Sequence, residues 1–193
     1  MSNATAEFGY TRWGAEVVRL AEPLSARSPE PRAPRARSIA RNGGVDLVVD
    51  GRSVRGVVQR GGQASVAQLE FAPMTTAAAS ILRIALGAAN EPGDETYRRV
   101  VESGAWSQAA LDVADCSCRG RGDRCVHILA VLYATAAAID REPALALRLR
   151  DFDISLDATG DAASDPPPDH RHPRWTTLTA FDVRNYWDAG PRD

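Results

Sequence analysis

A chain of 193 residues with 44% hydrophobic and 25% charged residues has the balance of a soluble globular protein, sized for one domain or two small lobes sharing a core; a disordered chain is excluded. The formal net charge of −2 excludes a general attraction of the whole surface for nucleic acid, yet the charge is uneven: residues 1–60 hold 10 Arg against 6 acids, and residues 151–193 hold 4 Arg against 9 Asp. All 23 basic residues are arginine, a bias that coding preference alone can produce, so arginine abundance is by itself weak support for phosphate binding. Residues 1–9 lack the basic start and apolar run of a secretory signal, and no uncharged apolar stretch reaches spanning length, so a cytoplasmic protein without membrane contact is expected.

In chain order, the first signal is helical. In "FGYTRWGAEVVRLAEPL", Trp13, Val17, Leu20 and Leu24 recur at helical spacing, and Pro23 marks the end of one amphipathic helix whose apolar stripe faces a core. The stretch "SARSPEPRAPRARSIARNGG" is rich in Pro, Ser and Arg and is expected to be a loop or linker. From Val45 the period changes to two. Val45, Leu47 and Val49 share one face, followed by an Asp50-Gly51 turn, then Val54, Gly56 and Val58, a Gly61-Gly62 turn, and Ala67, Leu69 and Phe71. Asp-Gly and Gly-Gly between alternating runs are strong hairpin signals, so a three-stranded antiparallel meander is predicted, with one face needing a cover.

The next segment is expected to supply that cover: a helix capped by Thr75 or Thr76, with Ile81, Leu82 and Ala85 on its stripe and Gly87 as its stop. A short helix from Asp94 to Glu102 should turn Tyr97, Val100 and Val101 inward and end at Gly104. Further on, "VHILAVLYATAAAID" is apolar on nearly all sides and predicts a helix buried against several neighbours, ending near Pro143. Proline at the first position then opens a short helix to Arg150. Residues 157–172 read as a flexible acidic linker, and Trp175, Phe181, Tyr186 and Trp187 beyond it as a segment that docks on this chain or on a partner.

All three cysteines lie in "CSCRGRGDRCVH". A disulfide fails on parity and on compartment, and a nucleophilic cysteine would leave two thiols unexplained. Zinc accounts for Cys116, Cys118, Cys125 and His127 together, since three thiolates and an imidazole are a recurrent tetrahedral structural set. Iron–sulfur ligation, which favours four cysteines at other spacings, is the weaker alternative. One ion with four protein ligands has no open position for a water nucleophile, and no catalytic residue presents itself. Between the pairs, Gly120 and Gly122 allow a tight reversal, predicting a short hairpin that carries Cys116 and Cys118, with Cys125 and His127 at the start of the following helix. Arg119, Arg121 and Arg124, with Asp123, bring the zinc-loaded cluster to a net +1. These arginines either balance an anionic metal site or also touch phosphate.

The stretch "CSCRGRGDRCVHILAVLYA" resembles the SWIM zinc finger, whose pattern is Cys-x-Cys, a variable gap and Cys-x-His before an Ala- and Leu-rich helix. Upstream, "FGYTRWGAEVVRL" and "RSIARNGGVDLVVDGRSVRGVVQ" are similar to the front halves of bacterial, mostly actinobacterial, proteins of this family. The resemblance covers residues 8–150 and implies one structural zinc on those four ligands, no catalytic residue, and binding of DNA or protein. His170 and His172 follow three prolines and read as a solvated loop, and the spaced aspartates of the tail lack the glycine and bidentate glutamate of a calcium loop. Without lysine there is no phosphate-binding G-x-x-x-x-G-K-[ST], so helicase activity would reside in another protein.

The expected architecture is α+β: a helix and Arg/Pro-rich loop (1–43), a small antiparallel sheet with covering helices (44–104), a hairpin-helix zinc finger with its buried helix (105–150), and an acidic linker with an aromatic end (151–193). The expected role is a non-catalytic zinc-binding module for nucleic acid or protein, accessory to a helicase-type ATPase, with no small-molecule substrate. The alternative is a protein–protein adaptor with structural zinc and no nucleic-acid contact.

Overall fold

The computed structural model describes residues 7–60, 62–87, 92–118 and 124–154, all in the first, Met1–Ala158, of two units of the chain. The expected acidic linker and aromatic end fall outside the described residues. The fold is α+β: α1 (Arg12–Ala21), α2 (Ala33–Arg41), β1 (Val45–Asp50), β2 (Ser53–Arg60), β3 (Gln63–Phe71), α3 (Thr76–Leu86), α4 (Asp94–Glu102), β4 (Leu111–Cys116), α5 (Val126–Arg141) and α6 (Ala144–Arg148). No helix among the described residues is long and apolar enough to cross a membrane.

The meander forms as its alternation requires, and β4 joins it to give an antiparallel sheet in the order β1-β2-β3-β4. Asp50 pairs with Ser53, so Gly51 and Arg52 make the first turn, and Gly51 takes the left-handed φ of 52°. The register sets Leu47 opposite Gly56 and Gly56 opposite Ala67, with Val54 and Leu69 beside them, so one face is continuous and apolar. Val54, Val58, Ala67, Leu69 and Phe71 are buried there.

The helix that covers that face is α5, not α3 as the order of elements suggested. α5 buries Ile128, Leu129, Val131, Leu132, Tyr133 and Ile139 and packs on the sheet along one side and on α1 and α2 along the other. Only a helix apolar all round can satisfy both neighbours. α3 buries a narrower stripe, Ala78, Leu82 and Leu86, leaves Ile84 exposed, and packs with α4. Gly56 shows how close α5 comes: a Cβ there would stand 2.2 Å from Val131 Cγ2.

Three further expectations are corrected. The Arg/Pro-rich stretch is not all loop, because α2 lies within it. Proline in the first turn is already set to helical φ, and the small buried Ala33 and Ala36 let this arginine-rich helix lie against α5. Leu24 does not join the α1 stripe: the helix ends at Ala21, two residues before Pro23, and Leu24 is 86% exposed. Val101 on α4 points outward, leaving Val100 and half-buried Tyr97 as its inward residues.

Two buried carboxylates tie α1 into place. Asp140 on α5 accepts from the N–H groups of Gly9 (2.7 Å) and Thr11 (3.0 Å) and from the Thr11 hydroxyl (2.8 Å), while that hydroxyl caps α1 by accepting from Gly14 N–H. Glu16 accepts from Tyr97 Oη (2.7 Å), Trp106 Nε1 (2.6 Å) and Ala109 N–H (3.1 Å), inside an aromatic group in which Trp13 meets Tyr97 and Trp106 edge-on. Burial, followed by the Glu16 carboxylate, pushes the Tyr97 hydroxyl up to about 12.

The Gly56–Val131 contact makes a specific prediction. Gly56→Ala should cost roughly 1–3 kcal/mol, read as a lower midpoint in denaturant, because a side chain must be forced between β2 and α5. In a Val131→Ala background the same substitution should cost clearly less, and equal costs in the two backgrounds would count against this packing.

Candidate metal centre

The four sequence candidates come from two elements that the core holds together. Cys116 is the last residue of β4 and pairs with Ala67 on β3. The ladder continues one residue further: Ser117 N–H donates to Val66 O at 2.8 Å, and Val66 N–H donates to Ser117 Oγ at 2.9 Å. The turn between Cys116 and Cys118 is therefore pinned to the sheet. On the other side, Cys125 is the N-cap of α5, in extended backbone, with its sulfur accepting from Ile128 N–H at 3.5 Å, and His127 stands in the first turn.

One ligand atom from each of Cys116, Cys118, Cys125 and His127 lies within 4.8 Å of all the others, and Cys116 Sγ is 3.8 Å from His127 Nδ1. A tetrahedral ion with bonds of about 2.0–2.3 Å holds its donors about 3.5 Å apart, so the cluster needs little closing to grip one. The three cysteines are joined in no disulfide and are half-buried. Burial pushes the Cys116 thiol up to about 12, with the neighbouring Cys118 and Cys125 sulfurs acting in the same direction through hydrogen bonding and charge. The Cys116 thiol therefore resists ionisation until a cation joins it. Donor softness, number and convergence all fit a zinc ion, which would fill its shell with these four residues.

The arginines assigned to phosphate divide. Arg119 and Arg121 lie outside the described residues, as do Gly120, Gly122 and the turn of the predicted finger hairpin. Within the described residues the strand carrying Cys116 is partnered by β3 rather than by its own chain neighbour. Arg124 is exposed, but its guanidinium donates to Leu20 O at 3.3 Å, meeting a carbonyl in the last turn of α1. Its own carbonyl accepts from the Arg32 guanidinium at 3.0 Å. Ser117 and Arg32 are the residues that spacing missed. A serine between two cysteines is unremarkable in sequence, and its partner Val66 and the Arg32–Arg124 link are contacts between segments far apart in the chain. His170 and His172 also lie outside the described residues.

No curated protein and no solved structure matches the chain. Residues 97–136 do match a family model, that of the SWIM zinc finger. The matched stretch runs from within α4 through β4 into α5 and takes in all four converging donors. Spacing, geometry and family match agree: segment 97–136 of this chain is a SWIM zinc finger.

Proposed function

We propose that the chain is a non-catalytic binding module in which a single zinc ion, held by Cys116, Cys118, Cys125 and His127, fastens the end of β4 to the start of α5, and that the surface so formed engages nucleic acid, accessory to a helicase-type ATPase. The observation that carries this reading is the convergence of three thiols and one imidazole within 4.8 Å, at the junction of two elements of the core. Four protein ligands leave an ion no site for substrate or water, so the metal acts by holding structure.

A second reading, a protein adaptor with structural zinc and no nucleic-acid contact, is favoured by the inward engagement of Arg124 with Leu20 and by the net charge of −2. The two readings share the metal and differ in salt dependence. Phosphate contacts release counterions and weaken steeply with salt, which an apolar protein contact does not.

Cys118→Ser and His127→Ala should each lose bound zinc and lower the thermal midpoint by about 10 °C or more, since ligand assembly and local folding are one event. Variants with full zinc and unchanged midpoint, by metal analysis and circular dichroism, would remove the metal assignment. For the partner, the zinc-loaded protein is titrated against labelled single- and double-stranded DNA and RNA across a salt series. Binding that falls steeply with salt is expected, and no binding at low salt would make the adaptor the leading reading.

A further inference from the structure

Four arginines fall on or immediately before α2, and their surroundings differ. Arg37 pairs with Glu22 and Arg41 with Glu7, so both charges are met within the chain. Arg32 has only a long contact with Glu30, at 3.8 Å, and its side chain is 55% exposed. Arg35 is exposed and makes no ion pair among the described residues. Three positions apart on one helix, Arg32 and Arg35 are neighbours on the same edge. The edge continues into Ser38 and Asn42, both exposed, with Asn42 Nδ2 donating to Ser38 Oγ at 3.4 Å. It thus presents two guanidinium groups, a hydroxyl and an amide, and α2 itself contains no acidic residue.

This edge adjoins the metal centre. The Arg32 guanidinium bonds the carbonyl of Arg124, the residue directly before the ligand Cys125. The Arg124 side chain donates to the Leu20 carbonyl of α1, so among the described residues the exposed guanidinium groups of α2 are the further positive charge beside the finger. On its opposite side α2 is fixed by Ala33 and Ala36, buried in the core beside α5, so the arginines stand on a rigid support.

We infer that the phosphate backbone of a nucleic acid is engaged by Arg32 and Arg35 on this edge of α2, and that the zinc finger orients the surface instead of supplying it. The inference rests on the nucleic-acid reading above and places its contact. Planar guanidinium forks match phosphate oxygens, and the Ser38 hydroxyl and Asn42 amide add neutral donors along the same line. A partner with charge repeating along its length suits donors strung along a helix edge.

The test uses the full-length, zinc-loaded protein with a fluorescein-labelled 20-base single strand and the matching duplex, by anisotropy across a salt series. Arg35→Glu removes a side chain that holds no ion-pair partner among the described residues, and Arg32→Glu/Arg35→Glu removes both charges; zinc content and thermal midpoint are measured for each. Arg99→Glu, at an exposed residue of α4, is the control. Each reversal should lower the slope of log affinity against log salt by about 0.9 on duplex or 0.7 on single strand, and the double variant should lose at least about tenfold in affinity, with Arg99→Glu near wild type. Unchanged affinity and slope in both α2 variants, with binding lost in Arg119→Ala/Arg121→Ala, would overturn the inference and leave the nucleic-acid reading standing on the finger. Failure of the wild-type protein to bind either probe at low salt would overturn both. A labelled polyglutamate bound as tightly as the 20-base strand would overturn the nucleic-acid assignment in favour of an acidic protein partner.

Discussion

Burial of α5 is the constraint that organises the remainder of the fold. The helix is apolar on nearly every side, and its only stable place is between a sheet face and other helices. That requirement makes the sheet one-sided and sets small residues where backbones must come close, Gly56 under Val131 and Ala33 and Ala36 on α2. It also fixes half of the metal site, because Cys125 and His127 are the cap and first turn of this same helix. At about 1.5–3 kcal/mol for each large side chain removed from water, Ile128, Leu129, Val131, Leu132, Tyr133 and Ile139 together contribute on the order of 10 kcal/mol before the entropy of ordering is subtracted.

The other half of the site comes from a strand edge, and this is what makes the finger part of the fold. Cys116 is the end of β4, and the Ser117–Val66 pair extends the ladder past it, so any displacement of the cysteine turn breaks sheet hydrogen bonds. A metal here links two elements that the core already places close together. The apparent binding energy of a structural zinc site, roughly 10–16 kcal/mol in small finger peptides, includes the cost of ordering a chain that has no other reason to fold. In this chain α5 and β4 are already held by the core, so a metal's organising work would concentrate on the cysteine turn and the first turn of α5.

Legibility followed the range of the physical signal. Local signals were readable: the hairpin chemistry around Gly51, the Thr75 and Gly87 ends of α3, the all-round apolarity of α5, and the ligand spacing itself. Pairings between distant segments were not. Nothing in "LDVADC" says that it will add to β3, and no local rule assigns the meander's cover to a helix that begins more than fifty residues after β3 ends. α2 was hidden for another reason. Its proline and four nearby arginines give the composition of a linker, while the feature that makes it a helix, two small residues meeting a larger helix, is a tertiary contact. The four converging donors were legible as a group because a tetrahedral ion would demand residue types that are rare here, whereas Ser117 and Arg32 are common residues that meet the cluster's neighbours through long-range contacts.

The arginines show why charge counting from sequence misplaces a binding surface. Arg124 lies in the finger and looks outward in sequence, yet it serves a carbonyl of α1. Arg37 lies between Glu22 and the Tyr133 ring, and Arg150 is buried over Trp106 while donating to Ser107. Desolvation drives the Arg150 pKa down, the mark of a cation held by the fold and not offered to solvent. Each of these residues adds to the formal basic count while its guanidinium is engaged within the fold. Arg32 and Arg35 differ in degree: Arg35 has no ion pair among the described residues, and Arg32, although it reaches Glu30 at 3.8 Å and donates to the Arg124 carbonyl, keeps a side chain that is 55% exposed beside the cysteine cluster.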